Sequence, residues 1–196
     1  VTDLTGRVDL TGRITGTPSA PNVIGAVAVR GLSLNGITFD PVLNGDLRLV
    51  PSQGFSVNVS GSRDRIALAL NPNYKPISLN VKRGDATLVG IARGNIFAVD
   101  LKQFPLDGLT IPGVQLARLG ALGGQLSGNL NIDTDRLQVV DGSLAVANPR
   151  IGAFQGERIQ TQFVNNGGVF RFAETSLQRG NSRYTLAGNL DLRASP

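Results

Sequence analysis

The chain contains no histidine and no cysteine. Those two absences remove the thiolate nucleophile, the disulfide, the imidazole ligand and any Ser-His-Asp arrangement together. Metal sites built on Cys or His go with them. Tryptophan is also missing, and only 2 Tyr and 8 Phe occur among 196 residues. So few aromatics leave no girdle for an outer-membrane barrel and little to stack nucleic-acid bases. The Cys…Trp…Cys pattern of an immunoglobulin domain is excluded. Methionine is absent, so Val1 is not read as a translation start. The expectation is a processed chain or an excised piece of a longer protein, with any signal peptide or anchor outside it. No run of about 18 apolar residues occurs, so no segment is expected to cross a membrane as a helix.

What is present is apolar in a particular way. Hydrophobic residues make up 41% of the chain, enough for a sizeable core or a lined cavity. The 25 Gly are spread evenly, which fits frequent turns between strands better than one flexible linker. The net charge of +5 and the pI near 10.4 are carried by Lys and Arg scattered singly. A dispersed positive surface suits solubility or weak attraction to anionic lipid head groups, and no nucleic-acid partner is expected.

The organising element is a seven-residue frame. In Leu126-Ser127-Gly128-Asn129-Leu130-Asn131-Ile132 the apolar residues and the glycine hold one parity and the polar residues the other. This is the period of a strand with one dry and one wet face. The frame recurs at 43–49 and 186–192, and two copies run together over 4–16. The glycine always sits on the dry face, where it permits bending or the close approach of another backbone.

Turn residues separate such strands about every 10 residues, the spacing of an antiparallel meander. Asn35-Gly36 and Asp141-Gly142 read as hairpin turns, and the phase change at Gly31 reads as a β-bulge. Asn148-Pro149 reads as a strand end. Roughly 14 strands are expected, with little or no helix. The fold class is therefore all-β, an elongated and strongly curved sheet, with 1–196 as a single segment. An irregular, Leu-rich insertion at about 103–124 interrupts it, with room for one short helix near 115–122. That insertion is expected to pack against or into the apolar face.

The groups that could carry chemistry are few. Asp133 and Asp135 flank Thr134, and Asp40 and Asp46 lie near another turn. Such aspartates cap and bend loops through their own backbone. Gly120-Ala121-Leu122-Gly123-Gly124 does not match a phosphate loop. Arg63-Asp64-Arg65 and Lys82-Arg83 read as solvated turns. No enzyme and no cofactor is expected.

The frames at 4–16, 43–49, 126–132 and 186–192 form a repeated set. Together with Pro18…Pro21…Gly25 and Leu34-Asn35-Gly36-Ile37-Thr38-Phe39-Asp40, they resemble the C-terminal region of TamB proteins. The cyanobacterial members and their relatives of the plastid inner envelope are similar. The resemblance implies a folded-over, antiparallel-rich sheet, the β-taco, with a continuous apolar groove. It implies an envelope or periplasmic protein held in the inner membrane by a segment outside this chain. It further implies a role in outer-membrane biogenesis, either conducting phospholipids or assisting barrel assembly with an Omp85-type partner. No catalytic residue is carried over.

On that reading the groove is lined by the dry parity: Val8, Leu10, Val27, Val29, Leu47, Leu49, Val57, Val59, Leu68, Leu79, Val99, Leu130, Ile132, Phe172, Leu186 and Leu190. The partners are phospholipid acyl chains, which need no polar site because each buried CH₂ contributes about 0.8 kcal/mol. The rival architecture is a closed β-sandwich in which two such sheets bury each other.

Overall fold

A computed structural model describes residues 3–107, 122–191 and 193. The described residues are all-β, with fifteen strands and no helix. Every ladder among them that has a register is antiparallel. Two compact units divide the chain, Val1–Ala92 and Arg93–Pro196, where the sequence reads as one segment.

The first unit is a meander of β1 (Leu4–Thr17), β2 (Ala20–Leu34), β4 (Val42–Val50), β5 (Gly54–Ser60), β6 (Asp64–Leu70), β7 (Pro76–Arg83) and β8 (Ala86–Arg93). The two-residue β3 (Ile37–Thr38) pairs with the end of β2. Asn35 and Gly36 take φ of 47° and 84°, the left-handed pair of a type I′ hairpin. Gly31, at φ 60°, sits where the β1–β2 register slips between Thr5 and Arg7. The slip re-phases Leu32 and Leu34 against the rest of β2.

The second unit runs β9 (Ile96–Pro105), β10 (Leu122–Asp133), β11 (Gln138–Ile151), β13 (Arg158–Asn166), β14 (Val169–Arg179) and β15 (Ser182–Asp191). The short β12 (Phe154–Gln155) pairs with β11. Two sequence expectations fail here. Asp141-Gly142 is not a turn: β11 passes straight through it, with Gly142 opposite Leu130 on one side and Phe163 on the other. A Cβ at Gly142 would stand 2.6 Å from Leu130 Cδ2 and 2.9 Å from Phe163 Cζ, so the glycine makes room for two large neighbours. Asn148-Pro149 does not end the strand either. Asn148 takes φ 51° and the strand continues to Ile151, with Pro149 fully buried. The irregular stretch is shorter than 103–124, since β9 runs to Pro105 and β10 starts at Leu122. The short helix expected near 115–122 lies almost wholly outside the described residues, and its only described residue, Leu122, is strand.

Glycines decide how the first sheet bends. Gly12 and Gly25 are direct cross-strand partners. Opposite Cβ atoms normally stand about 4.5–5.5 Å apart. A Cβ at Gly25 would instead lie 2.5 Å from the Thr11 carbonyl oxygen and 2.7 Å from Gly12 Cα. The two backbones therefore close toward each other on the apolar side. Gly45 on β4 repeats this: its Cβ would fall on the Asn58 carbonyl, 2.8 Å from Val59 Cα. The first unit thus folds toward its dry face along β1, β2, β4 and β5.

This steric reading is testable. Gly45→Ala forces backbone against backbone and should cost about 1–3 kcal/mol or more. Gly188 has nothing within 4 Å of its would-be Cβ, so Gly188→Ala should be neutral or stabilise by up to about 1 kcal/mol. Urea denaturation of the two variants beside wild type checks this; equal losses would contradict the crease.

Candidate functional site

Directly opposed residues of a ladder share a face, so the registers show what each face carries. In the first unit Val8 faces Val29 and Leu10 faces Val27. Val27 continues to Gly45 and Gly25 to Leu47; Leu47 meets Val57, Leu49 meets Phe55 and Gly45 meets Val59. Val57 then meets Leu68, and Leu68 meets Leu79. All the residues proposed for a lining in this unit therefore lie on one face of one sheet. In the second unit Val99 faces Leu130 and Phe97 faces Ile132. The row continues through Gly142 and Phe163 to Phe172, with Leu186 and Leu190 on the same side of β15. The last residue of that frame, Leu192, lies outside the described residues.

Burial along these faces is graded. In the first unit the rows nearest β3 are closed: Leu43 is 0% exposed, and Val27, Val59 and Val81 are buried. Leu47, Leu49, Val57, Leu68 and Leu79 are half-buried, and Ile14 is 69% exposed. The closed end is covered by the excursion after β3. Phe39 is buried, with the Arg83 guanidinium 5.7 Å above its ring. Arg83 belongs to the dry parity, opposite Ala86, so Phe39 lies over the apolar face. In the second unit Phe97, Val99 and Phe163 are buried, while Leu186 at the β15 edge is 71% exposed. That stripe is not purely apolar. The Thr161 and Thr175 hydroxyls meet at 2.7 Å within it. Buried Asn165 donates from its side-chain amide to the Val139 carbonyl, at 2.7 Å.

The family-model, curated-protein and solved-structure comparisons return no match.

The carboxylates do structural work. Asp40 is buried, and its Oδ2 accepts from the backbone N–H groups of Arg63 (2.7 Å) and Asp64 (2.9 Å). Asp64, also buried, returns the contact by accepting the Asp40 N–H at 2.8 Å. This reciprocal clasp ties the excursion after β3 to the β5–β6 turn. It also departs from the solvated turn expected at Arg63-Asp64-Arg65. Asp133 accepts from the N–H groups of Asp135 and Arg136, a turn role. Among the described residues no three His, Cys, Asp or Glu cluster to hold a metal.

The sequence reading passed over the wet faces, which carry shallow hollows. One, of about 380 Å³, is in the second unit and includes Ser127, Asn129, Ser143, Gln160, Gln162, Glu174 and Arg183. Its signal in the sequence is only the run of Ser, Asn and Gln at the off-parity positions. Another, of about 320 Å³, lies among Asp46, Arg48, Ser56, Asn58, Ala67 and Ala69 of the first unit.

The N–H groups of Arg63 and then of Asp64 hold the Asp40 carboxyl below the ordinary carboxylate range. A lowered folded-state pKa contributes stability that is complete above the unfolded value of about 3.9. That contribution is lost as pH falls through the folded value. The stability gap between wild type and Asp40→Asn should therefore be constant from neutral pH to about pH 5 and narrow below about pH 4. Denaturant melts across pH check this, and a gap that widens in acid would contradict the clasp.

Proposed function

We propose that this chain is a groove segment of a TamB-like envelope protein and conducts phospholipid acyl chains along its dry face. One observation supports the reading most. Successive registers carry the apolar parity from strand to strand, and between the closed rows and the edges the face stays half-buried. A filled core would bury such leucines; a surface with no apolar occupant would replace them with polar residues. From β1 to β8 the first unit crosses six inter-strand spacings, about 29 Å at 4.8 Å each. That is close to the roughly 30 Å hydrocarbon core of a bilayer, which two acyl chains span. An acyl chain on this face is held by burial alone, so the site accepts it at any position and lets it slide. The head group stays in water at the open side. Anchoring in the inner membrane and residence in the periplasm belong to this proposal, through parts of the protein beyond this chain.

A second reading has an observation of its own. Among the described residues strand β15 pairs with β14 alone, and all its residues are exposed. An open edge of that kind accepts an extended segment by β-augmentation. On this reading β15 assists the assembly of an outer-membrane barrel strand with an Omp85-type partner.

Leu130 tests the first reading. It is half-buried mid-row between Val99 and Gly142. Leu130→Asp should leave the chain folded, because the carboxylate reaches water from an open face, while co-purified lipid falls. In a closed core the same carboxylate is buried and unpaired, and the domain should unfold. Asn129→Asp on the wet face should change neither. Thermal melting and lipid extraction on the three proteins decide it; a folded Leu130→Asp with undiminished lipid would rule out conduction at this row.

A further inference from the structure

Strand β1 is an open edge of unusual length. It has 14 residues, pairs with β2 on one side, and among the described residues has no strand paired on the other. Protein edges are normally blunted by shortness, proline, lysine or bulges. From Arg7 to Thr17 β1 has no Pro, Lys or bulge, and its charged residues Arg7, Asp9 and Arg13 all stand on the wet face. Its dry-face residues Val8, Leu10 and Ile14 are 62%, 43% and 69% exposed. Such a strand is a template for another strand.

The order of its side chains selects the partner. Two copies of β1 laid antiparallel about a two-fold axis through Thr11 place Asp9 of each opposite Arg13 of the other. The same register sets Val8 against Ile14, Leu10 against Gly12 and Arg7 against Thr15, so dry meets dry and wet meets wet. Neighbouring registers are worse. An axis at Leu10 opposes Arg7 to Arg13, and one at Asp9 opposes Asp9 to itself; like charges directly opposite destabilise a pair. An axis at Gly12 makes no ion pair, and one at Val8 drags the pairing across the slip at Thr5 and Arg7. Within its own copy Asp9 accepts from Arg7 at 2.9 Å and Arg30 at 3.1 Å. Arg30 lies on β2, so the carboxylate already bridges β1 to its inner neighbour, and the incoming Arg13 joins that cluster from the open side.

We propose that two copies of this chain pair through β1, antiparallel about Thr11, and join the dry faces of their first units into one. This holds whether or not that face carries lipid.

The absence of cysteine makes the test clean. Opposed Cα atoms in an antiparallel pair are about 4.5–5.5 Å apart, within disulfide range. Thr11→Cys should therefore link to itself across the axis under mild oxidation. Thr15→Cys, about 27 Å from its counterpart at 3.4 Å per residue, should not. Light scattering should show wild type passing from monomer to dimer with concentration. Arg13→Asp and Asp9→Arg each oppose like charges and should raise the dissociation concentration about tenfold or more. Mixing the two restores both ion pairs and should restore the dimer. If melting shows Asp9→Arg unfolded, the two cysteine variants decide alone. Wild type monomeric throughout, Thr15→Cys linking as readily as Thr11→Cys, or Arg13→Asp without effect would each overturn the proposal.

Discussion

The constraint on which everything else rests is register. A strand slipped by one residue along its neighbour would turn each leucine to the wet side and each asparagine to the dry side. In this chain the phase is kept through every ladder of each unit, and where it slips the backbone absorbs the change. Gly31 takes a left-handed conformation beside the β1–β2 slip, and Gln103 does so, at φ 51°, beside the β9–β10 slip. Each slip restores the apolar parity beyond it, so Phe104 still meets Leu126. The dry face survives because the irregularities are placed where the phase would otherwise be lost.

Curvature is the second consequence. A flat sheet with one apolar face leaves that face to water or to another sheet. Here the glycine of the repeated frame lets adjacent backbones approach from the dry side, as at Gly12 with Gly25 and at Gly45 with Val59. The same residue type that interrupts the apolar stripe therefore bends the sheet around it. Closure is finished differently at one end of the first unit. There Phe39 covers the face, and the Asp40–Asp64 clasp holds it down through backbone hydrogen bonds. The surface therefore has one covered end, a half-buried middle and an exposed rim.

Edges are the third. The open sides of β1 and β15 leave backbone donors and acceptors that a further strand can satisfy. Their side chains differ. In β1 the charges are arranged about Thr11 so that the strand complements itself. Strand β15 carries its exposed Tyr184, Leu186 and Leu190 beside the Arg183–Glu174 pair.

Much of this was legible in the residues, because period-2 alternation is a local property and the ladder copies it outward. The all-β class, the Asn35-Gly36 hairpin, the slip at Gly31 and the face of each predicted lining residue follow from parity and turn chemistry alone. What parity could not supply is which of two equivalent local signals the chain uses. Asp141-Gly142 has the composition of a turn, yet Leu130 and Phe163 need the space beside Gly142, so β11 runs through it and the turn forms at 134–137. Asp40 and Asp64 look like two loop aspartates, 24 positions apart, and only the return of the chain over the dry face brings them together. The sequence by itself determined the faces, since alternation needs no long-range contact. The tertiary structure alone decided the crease, the covered end and the open edges, since each depends on how closely residues distant in the chain approach.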